Sequence, residues 1–163
     1  LRRETPEQRK MSFACINPNI KCEGIKYYPK PNVSGMSKSM PREDFIRMMY
    51  ARAKYDEEIT KIPAMLMVAQ ACYESDYGRS DLSIYNRNLF GLSGHKFDSY
   101  DSCINYYENL LMGHYSELFG LQTVKEWIYA IGPAGYCSEA GYGAGIWSVV
   151  IHWDLEDESK WLN

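Results

Sequence analysis

The sequence predicts a mainly α-helical domain with little β-structure. Apolar residues recur at helical spacing through several stretches between residues 41 and 157. Alternating apolar and polar runs, which would mark half-buried strands, are sparse. Glycine and proline fall between the periodic stretches, where they punctuate helices.

Residues 1 to about 40 read as an irregular arm or linker, because they hold Asn17-Pro18, Pro29, Pro31 and the polar run Ser34 to Ser39. Residues 41–163 then form the helical domain. Pro41 suits a first helical position, with Glu43 and Asp44 in the first turn, where carboxylates match the helix dipole. Phe45, Met48, Met49 and Ala53 continue one face to about Lys54. A second helix runs from near Pro63 to about Ser75. Its run Ala64 to Ala69 is apolar nearly all round, which marks a buried central helix, and Gly78 stops it. The stretch 80–97 is turn-rich, with Asn86, Asn88, Gly91 and Gly94. Further helices are expected from about Tyr100 to Leu118, Thr123 to Ile131 and Gly143 to Leu155. Gly132-Pro133, Gly135 and Gly141 place a loop before the last of them.

A chain of 163 residues has the length of one compact domain with a real core. Its net charge of -3, without a long run of one sign, argues against nucleic acid and gives no polybasic patch for anionic lipid. No apolar stretch approaches the roughly 18 residues of a membrane span. The opening Leu1-Arg2-Arg3-Glu4 lacks a Met and an apolar signal core, so the chain reads as a processed product or part of a longer polypeptide. Five scattered cysteines are not a disulfide framework, though Cys15 and Cys22 are close enough in sequence for pairing to stay open. Without a C-x-x-C or His-x-x-x-His pair, neither a metal nor a cofactor is expected. Fourteen tyrosines supply aromatic faces with a hydroxyl handle, which suit carbohydrate and serve equally well in a core.

Glu74 is the sharpest chemical feature. It ends a strongly apolar helix just before the glycine break. Burial disfavours its anion, and the negative end of the helix dipole acts the same way, so its proton is retained toward neutral pH. A general acid for a glycosidic oxygen needs such a proton. An exposed helix-terminal glutamate would fit position alone equally well.

The surroundings of Glu74 extend the pattern. Ala69-Gln70-Ala71-Cys72-Tyr73-Glu74-Ser75-Asp76-Tyr77-Gly78-Arg79-Ser80 is followed by Asn86-Arg87-Asn88-Leu89-Phe90-Gly91-Leu92. These segments resemble glycoside hydrolase family 73, the glucosaminidases of bacterial autolysins, flagellar rod-cap hydrolases and some phage lysins. The family pattern is roughly A-Q-A-x-x-E-S-x-W-G-x-S, then N-N-x-F-G-I. Here Tyr77 stands at the tryptophan and Arg87-Asn88 at the asparagine pair. Lys96 to Ser102 is similar to the family's F-R-x-Y-x-S segment, and Gly135 to Gly143 to its G-Y-A-T-D-P-x-Y-A segment. The match runs in order over about residues 41 to 157.

The resemblance implies a lysozyme-like helical fold with a cleft that cleaves peptidoglycan glycan strands at the bacterial cell wall, in a secreted, periplasmic or virion-associated protein. Glu74 matches the catalytic acid. Tyr142 matches a tyrosine lining the cleft near the cleaved bond, and Asn88 and Phe90 match the segment shaping the cleft floor. Tyr77 and Tyr136 are further substrate-binding candidates. The groove is expected between the 86–98 segment and Tyr142.

One departure matters. Family members carry a β-hairpin with a second carboxylate between F-G-I-K and F-R-x-Y, but only Ser93-Gly94-His95 separates Leu92 from Lys96 here. Asp98, Asp101 and His95 are the nearby polar candidates, the two aspartates doubling as helix-start residues. Three outcomes follow. The substrate's acetamido group can attack with Glu74 as the only protein acid, giving a glucosaminidase. Its C6 hydroxyl can attack instead, giving a lytic transglycosylase; a muramidase would use the same acid. A non-catalytic wall-binding or virion structural domain is the reading from another class.

Overall fold

The computed structural model describes residues 29–162. Most of the expected 1–40 arm, with the Cys15–Cys22 question, lies outside the described residues. Residues from Pro31 onward form one compact unit. The helical unit begins before Pro41: Val33 is buried in the core, and Met36 and Met40 pack against it.

Among the described residues there are six α-helices and no strand. They are α1 (Arg42–Thr60), α2 (Ala64–Ser75), α3 (Asp81–Asn86), α4 (Tyr100–His114), α5 (Val124–Ile131) and α6 (Tyr142–Trp153). A 3₁₀ turn at Ser116–Gly120 follows α4, a π-helical turn at Gly132–Tyr136 follows α5, and a 3₁₀ turn at Glu158–Lys160 ends the unit. No helix among them is long and apolar enough to cross a membrane.

Helix α2 is the axis of the unit. Nine of its 12 residues are buried, and it packs against α1, α5 and α6. Leu66, Met67 and Val68 are at most 1% exposed, and each such side chain contributes about 1.5–3 kcal/mol through burial. The three residues left at the surface, Met65, Tyr73 and Glu74, include the expected acid.

Helix α1 runs past Lys54 to Thr60, where Lys61 turns left-handed and donates its N–H to the Glu57 carbonyl. Its buried face is continued by polar residues. Arg52 is 1% exposed and donates from Nε to Asp56 at 2.8 Å, and its Nη1 reaches Asp101 on α4 at 2.6 Å. A hydrophobic stripe cannot register a pair of this kind, so the sequence reading ended the helix early.

The turn after α2 explains its motif. Ser75 Oγ donates to the Ala71 carbonyl and accepts from the Gly78 N–H at 2.8 Å, closing the helix end. A Cβ on Gly78 would stand 2.8 Å from Met36 and from the Phe45 ring. Ser80 caps α3 by accepting from the Ser83 N–H. This six-residue helix lies in the stretch expected to be turns.

Helix α3 ends on Arg87 at φ 49°, a left-handed position that asparagine tolerates better than a long side chain. Arg87→Asn is expected to raise stability by about 0.5–1 kcal/mol without altering activity. Urea unfolding checks it, and an unchanged or lower midpoint would show that the exposed arginine makes compensating contacts.

Helix α6 starts with small residues for a packing reason. A Cβ on Gly143 would meet the Tyr129 backbone and ring at 3.0 Å, and one on Gly145 would meet the Tyr73 ring at 2.8 Å. The two glycines let α6 lie close to α5 and to the exposed end of α2.

Candidate active site

Glu74 is half-buried at the last turn of α2. Burial pushes its carboxyl above the ordinary value, the hydrogen bond from the Tyr142 hydroxyl pulls it back, and the negative charge of Glu139 pushes it up again. The Tyr142 phenol is itself raised by burial first and by the charge of Glu74 second.

A chain of buried neutral groups orients this pair. The Tyr107 hydroxyl donates to Gln70 Oε1, and Gln70 Nε2 donates to the Tyr142 oxygen at 3.1 Å. That leaves the Tyr142 hydrogen for Glu74. Gln70 is one helical turn before Glu74, so both point to the same side of α2. Gln70 and Tyr107 are fully buried, and their satisfied hydrogen bonds fix the acid's direction. Gln70 stands in the quoted motif but was not assigned a role. Tyr107 has no sequence signal beyond helix periodicity.

The floor beneath Glu74 is backbone. Gly91 adopts φ +63°, and a Cβ there would stand 2.8 Å from the Glu74 carboxyl carbon. Asn88 holds this loop. Its Nδ2 donates to the Leu92 carbonyl at 2.6 Å and the His95 carbonyl at 3.3 Å, and its Oδ1 accepts from the Phe90 and Leu92 N–H groups. Phe90 stacks on Tyr107 with ring centroids 3.9 Å apart. Asn88 and Phe90 are both 0% exposed, so their side chains support the floor from below and do not present a surface. Between Leu92 and Lys96 the chain makes a tight turn, closed by His95 N–H to the Leu92 carbonyl.

Tyr136 lies beside the acid. Its hydroxyl donates to the Phe90 carbonyl at 2.6 Å, its ring stacks on Tyr142 at 6.2 Å, and the charge of Glu74 reaches it. Tyr77 is placed elsewhere. It accepts from Trp153 Nε1 at 2.7 Å and lies under the Arg42 guanidinium, which packs it at the far end of α6 from Tyr142.

Asp101 holds the buried Arg52, joining α1 to the first turn of α4. Asp98 is exposed, one residue before Ser99, the residue that caps α4. His95 stacks on Phe97 and pairs with the Tyr106 hydroxyl at 3.2 Å.

A groove of about 610 Å³ opens beside Tyr142, lined by Tyr129, the 132–141 loop and the first turn of α6. Of the residues expected around the groove only Tyr142 lines it; Glu74 and the 86–98 segment do not, and that segment lies under Glu74 instead. The loop turns sharply at Gly135, whose φ of 125° excludes other residues, and Tyr136 anchors it. Among the described residues, no group of three His, Cys, Asp or Glu side chains could hold a metal ion.

The Tyr142 hydroxyl sets a measurable pH effect. It stabilises the Glu74 anion, so Tyr142→Phe should raise the Glu74 pKa further. The alkaline limb of the activity profile should then move to higher pH while the maximal rate falls. A limb that stays in place or moves down would show that this bond does not control Glu74.

A single carboxyl at the end of a buried helix, with tyrosines beside it in a mainly helical unit, is the arrangement of a lysozyme-like glycosidase domain. The family model described as glucosaminidase, mannosyl-glycoprotein endo-beta-N-acetylglucosaminidase, matches residues 50–155. That is more than half of the chain, and the protein belongs to this family, glycoside hydrolase family 73. The matched region includes every site residue from Glu74 to Tyr142. Comparison with curated proteins and with solved structures gives no match.

Proposed function

We propose that the protein is an endo-β-N-acetylglucosaminidase that cleaves β-1,4 bonds in peptidoglycan glycan strands at the bacterial cell wall. Glu74 is the general acid. The observation that carries this reading is the half-buried Glu74 carboxyl, raised by desolvation and aimed by the Tyr107–Gln70–Tyr142 chain. In the reaction Glu74 gives its proton to the glycosidic oxygen as the bond from the anomeric carbon to that oxygen breaks. Tyr142 orients the acid through its hydroxyl and, almost wholly buried, lines one side of the neighbouring groove. Tyr136 extends the same aromatic wall. Asn88 and Phe90 act through the loop they hold. The family description names a glycoprotein substrate, whereas the motif resemblance favours the bacterial cell wall.

Mass spectrometry of products from purified peptidoglycan tests the reading. Reducing GlcNAc ends support it. Reducing MurNAc ends would make the protein a muramidase, and anhydro-MurNAc ends a lytic transglycosylase. No products from peptidoglycan would leave a wall-binding or virion structural domain. Release of glycans from a mannosyl glycoprotein, with peptidoglycan intact, would move the substrate to the one in the family description.

A further inference from the structure

The tight turn that follows the floor of the site carries three clustered rings that the reaction at Glu74 does not use. The His95 ring lies nearly parallel to the Phe97 ring, with centroids 5.7 Å apart. The Tyr106 ring, on α4, tilts against both at 4.6 and 5.6 Å. The Tyr106 hydroxyl and His95 Nε2 are 3.2 Å apart, which ties the imidazole to α4. Tyr106 is 39% exposed, and His95 and Phe97 are half-buried, so the rings hold one another in place and still reach solvent. Among the described residues no hydrogen bond occupies His95 Nδ1, which leaves a polar edge beside the ring faces.

Backbone contacts place this cluster close to the acid. Gly91 lies against the Glu74 carboxyl, where an added Cβ would come within 2.8 Å of the carboxyl carbon. Asn88 Nδ2 is bonded at once to the Leu92 carbonyl at 2.6 Å and the His95 carbonyl at 3.3 Å, so His95 is folded back onto the residue after Gly91. The Phe97 N–H donates to the Asn86 carbonyl at 2.9 Å, which brings Phe97 to the entrance of the same loop. The four residues from Gly91 to His95 would reach at most roughly 14 Å even if extended, and the Asn88 clamp shortens the span. Gly91 is exposed and Leu92 is buried, so Ser93 is the largest side chain exposed between the floor and His95. A few linked sugars cover this distance.

We propose that His95, Phe97 and Tyr106 form a saccharide-stacking subsite, which holds a pyranose ring of the glycan strand beside the sugars joined at the cleaved bond. The class of ligand rests on the glucosaminidase reading above. A pyranose has apolar C–H faces and a rim of hydroxyls. The aromatic faces cover the first, and His95 Nδ1 and the Tyr106 hydroxyl meet the second. The subsite touches no reacting atom. It therefore binds ground state and transition state alike, and acts on affinity and not on the chemical step.

The test uses the Glu74→Gln variant, soluble peptidoglycan oligomers stripped of their stem peptides, and NMR of the imidazole signals. The chain has three histidines, so the His95 signal is identified by its loss in a variant that also carries His95→Ala. That signal should move saturably as oligomer is added, while those of His114 and His152 stay in place. With Glu74 intact, Tyr106→Ala should raise KM on long glycans about tenfold while kcat changes little, and Tyr106→Phe, which keeps the ring, should raise it less. Melting temperatures check that both variants fold. Cleavage by the unsubstituted protein together with a stationary His95 signal, or with an unaltered KM in Tyr106→Ala, would overturn the subsite and leave the glucosaminidase reading standing. A moving His95 signal without any cleavage would overturn that reading and keep the subsite as a glycan-binding one. Absence of both would overturn both.

Discussion

Glu74→Gln is expected to slow glycan cleavage by about a hundredfold to ten-thousandfold, the usual loss on removing a positioned general acid. The same substitution should stabilise the fold at neutral pH. The native carboxyl has its pKa raised chiefly by burial, so the native state holds this proton more tightly than the unfolded chain does. The stability associated with it is fully present below the ordinary carboxyl value of 4.5 and is lost as pH rises through the raised native value. Glutamine carries no such dependence. Thermal melts should therefore separate the two proteins at pH 7, with the glutamine variant higher, and bring them together in acid. Undiminished lysis by the folded variant would remove Glu74 from the chemistry. A lower melting temperature at pH 7 would show that the anion is stabilised in the site.

Gly91→Ala should be nearly as damaging to activity, for a different reason. The new methyl group would occupy the space of the Glu74 carboxyl, and the backbone is already left-handed. Displacing a catalytic group by about 1 Å can cost a hundredfold in rate, and a loss of that order is expected here. Gly94→Ala is the matched control. Its φ of +74° imposes a similar backbone cost of about 1 kcal/mol, but nothing lies within 4 Å of its added methyl. Both variants should lose a few degrees of melting temperature, and only Gly91→Ala should lose turnover. Equal activity in the two would mean that the acid has room to move aside.

The helices are legible in the sequence where one apolar face does the packing. Helix α2 was recognisable as the buried axis because Ala64 to Ala69 is apolar all round, and α5 was bounded correctly by the Thr123 cap and by Gly132-Pro133. The extension of α1 was hidden because Arg52 and Asp56 satisfy each other inside the core. Helix α3 was hidden because it is one and a half turns long and leaves Leu82 and Tyr85 exposed. Within the site, Glu74 stood out because a carboxyl at the end of an apolar helix is locally unusual. Gln70 and Tyr107 did not stand out, because each acquires its role through contacts between distant segments. Asn88 and Phe90 belong to a recognisable motif, yet which way their side chains point depends on how the loop closes over α4.

The two glycines in the first turn of α6 bear on the order in which the molecule assembles. Gly143 and Gly145 are poor helix formers, each about 1 kcal/mol worse than alanine, and the β-branched Val149, Val150 and Ile151 follow them. An isolated α6 segment has little helical tendency of its own. Its first turn exists because Tyr129 and Tyr73 are already in place to receive it. The pairing of Tyr142 with Glu74 therefore depends on α6 being docked against α2 and α5, whose tyrosines receive its first turn.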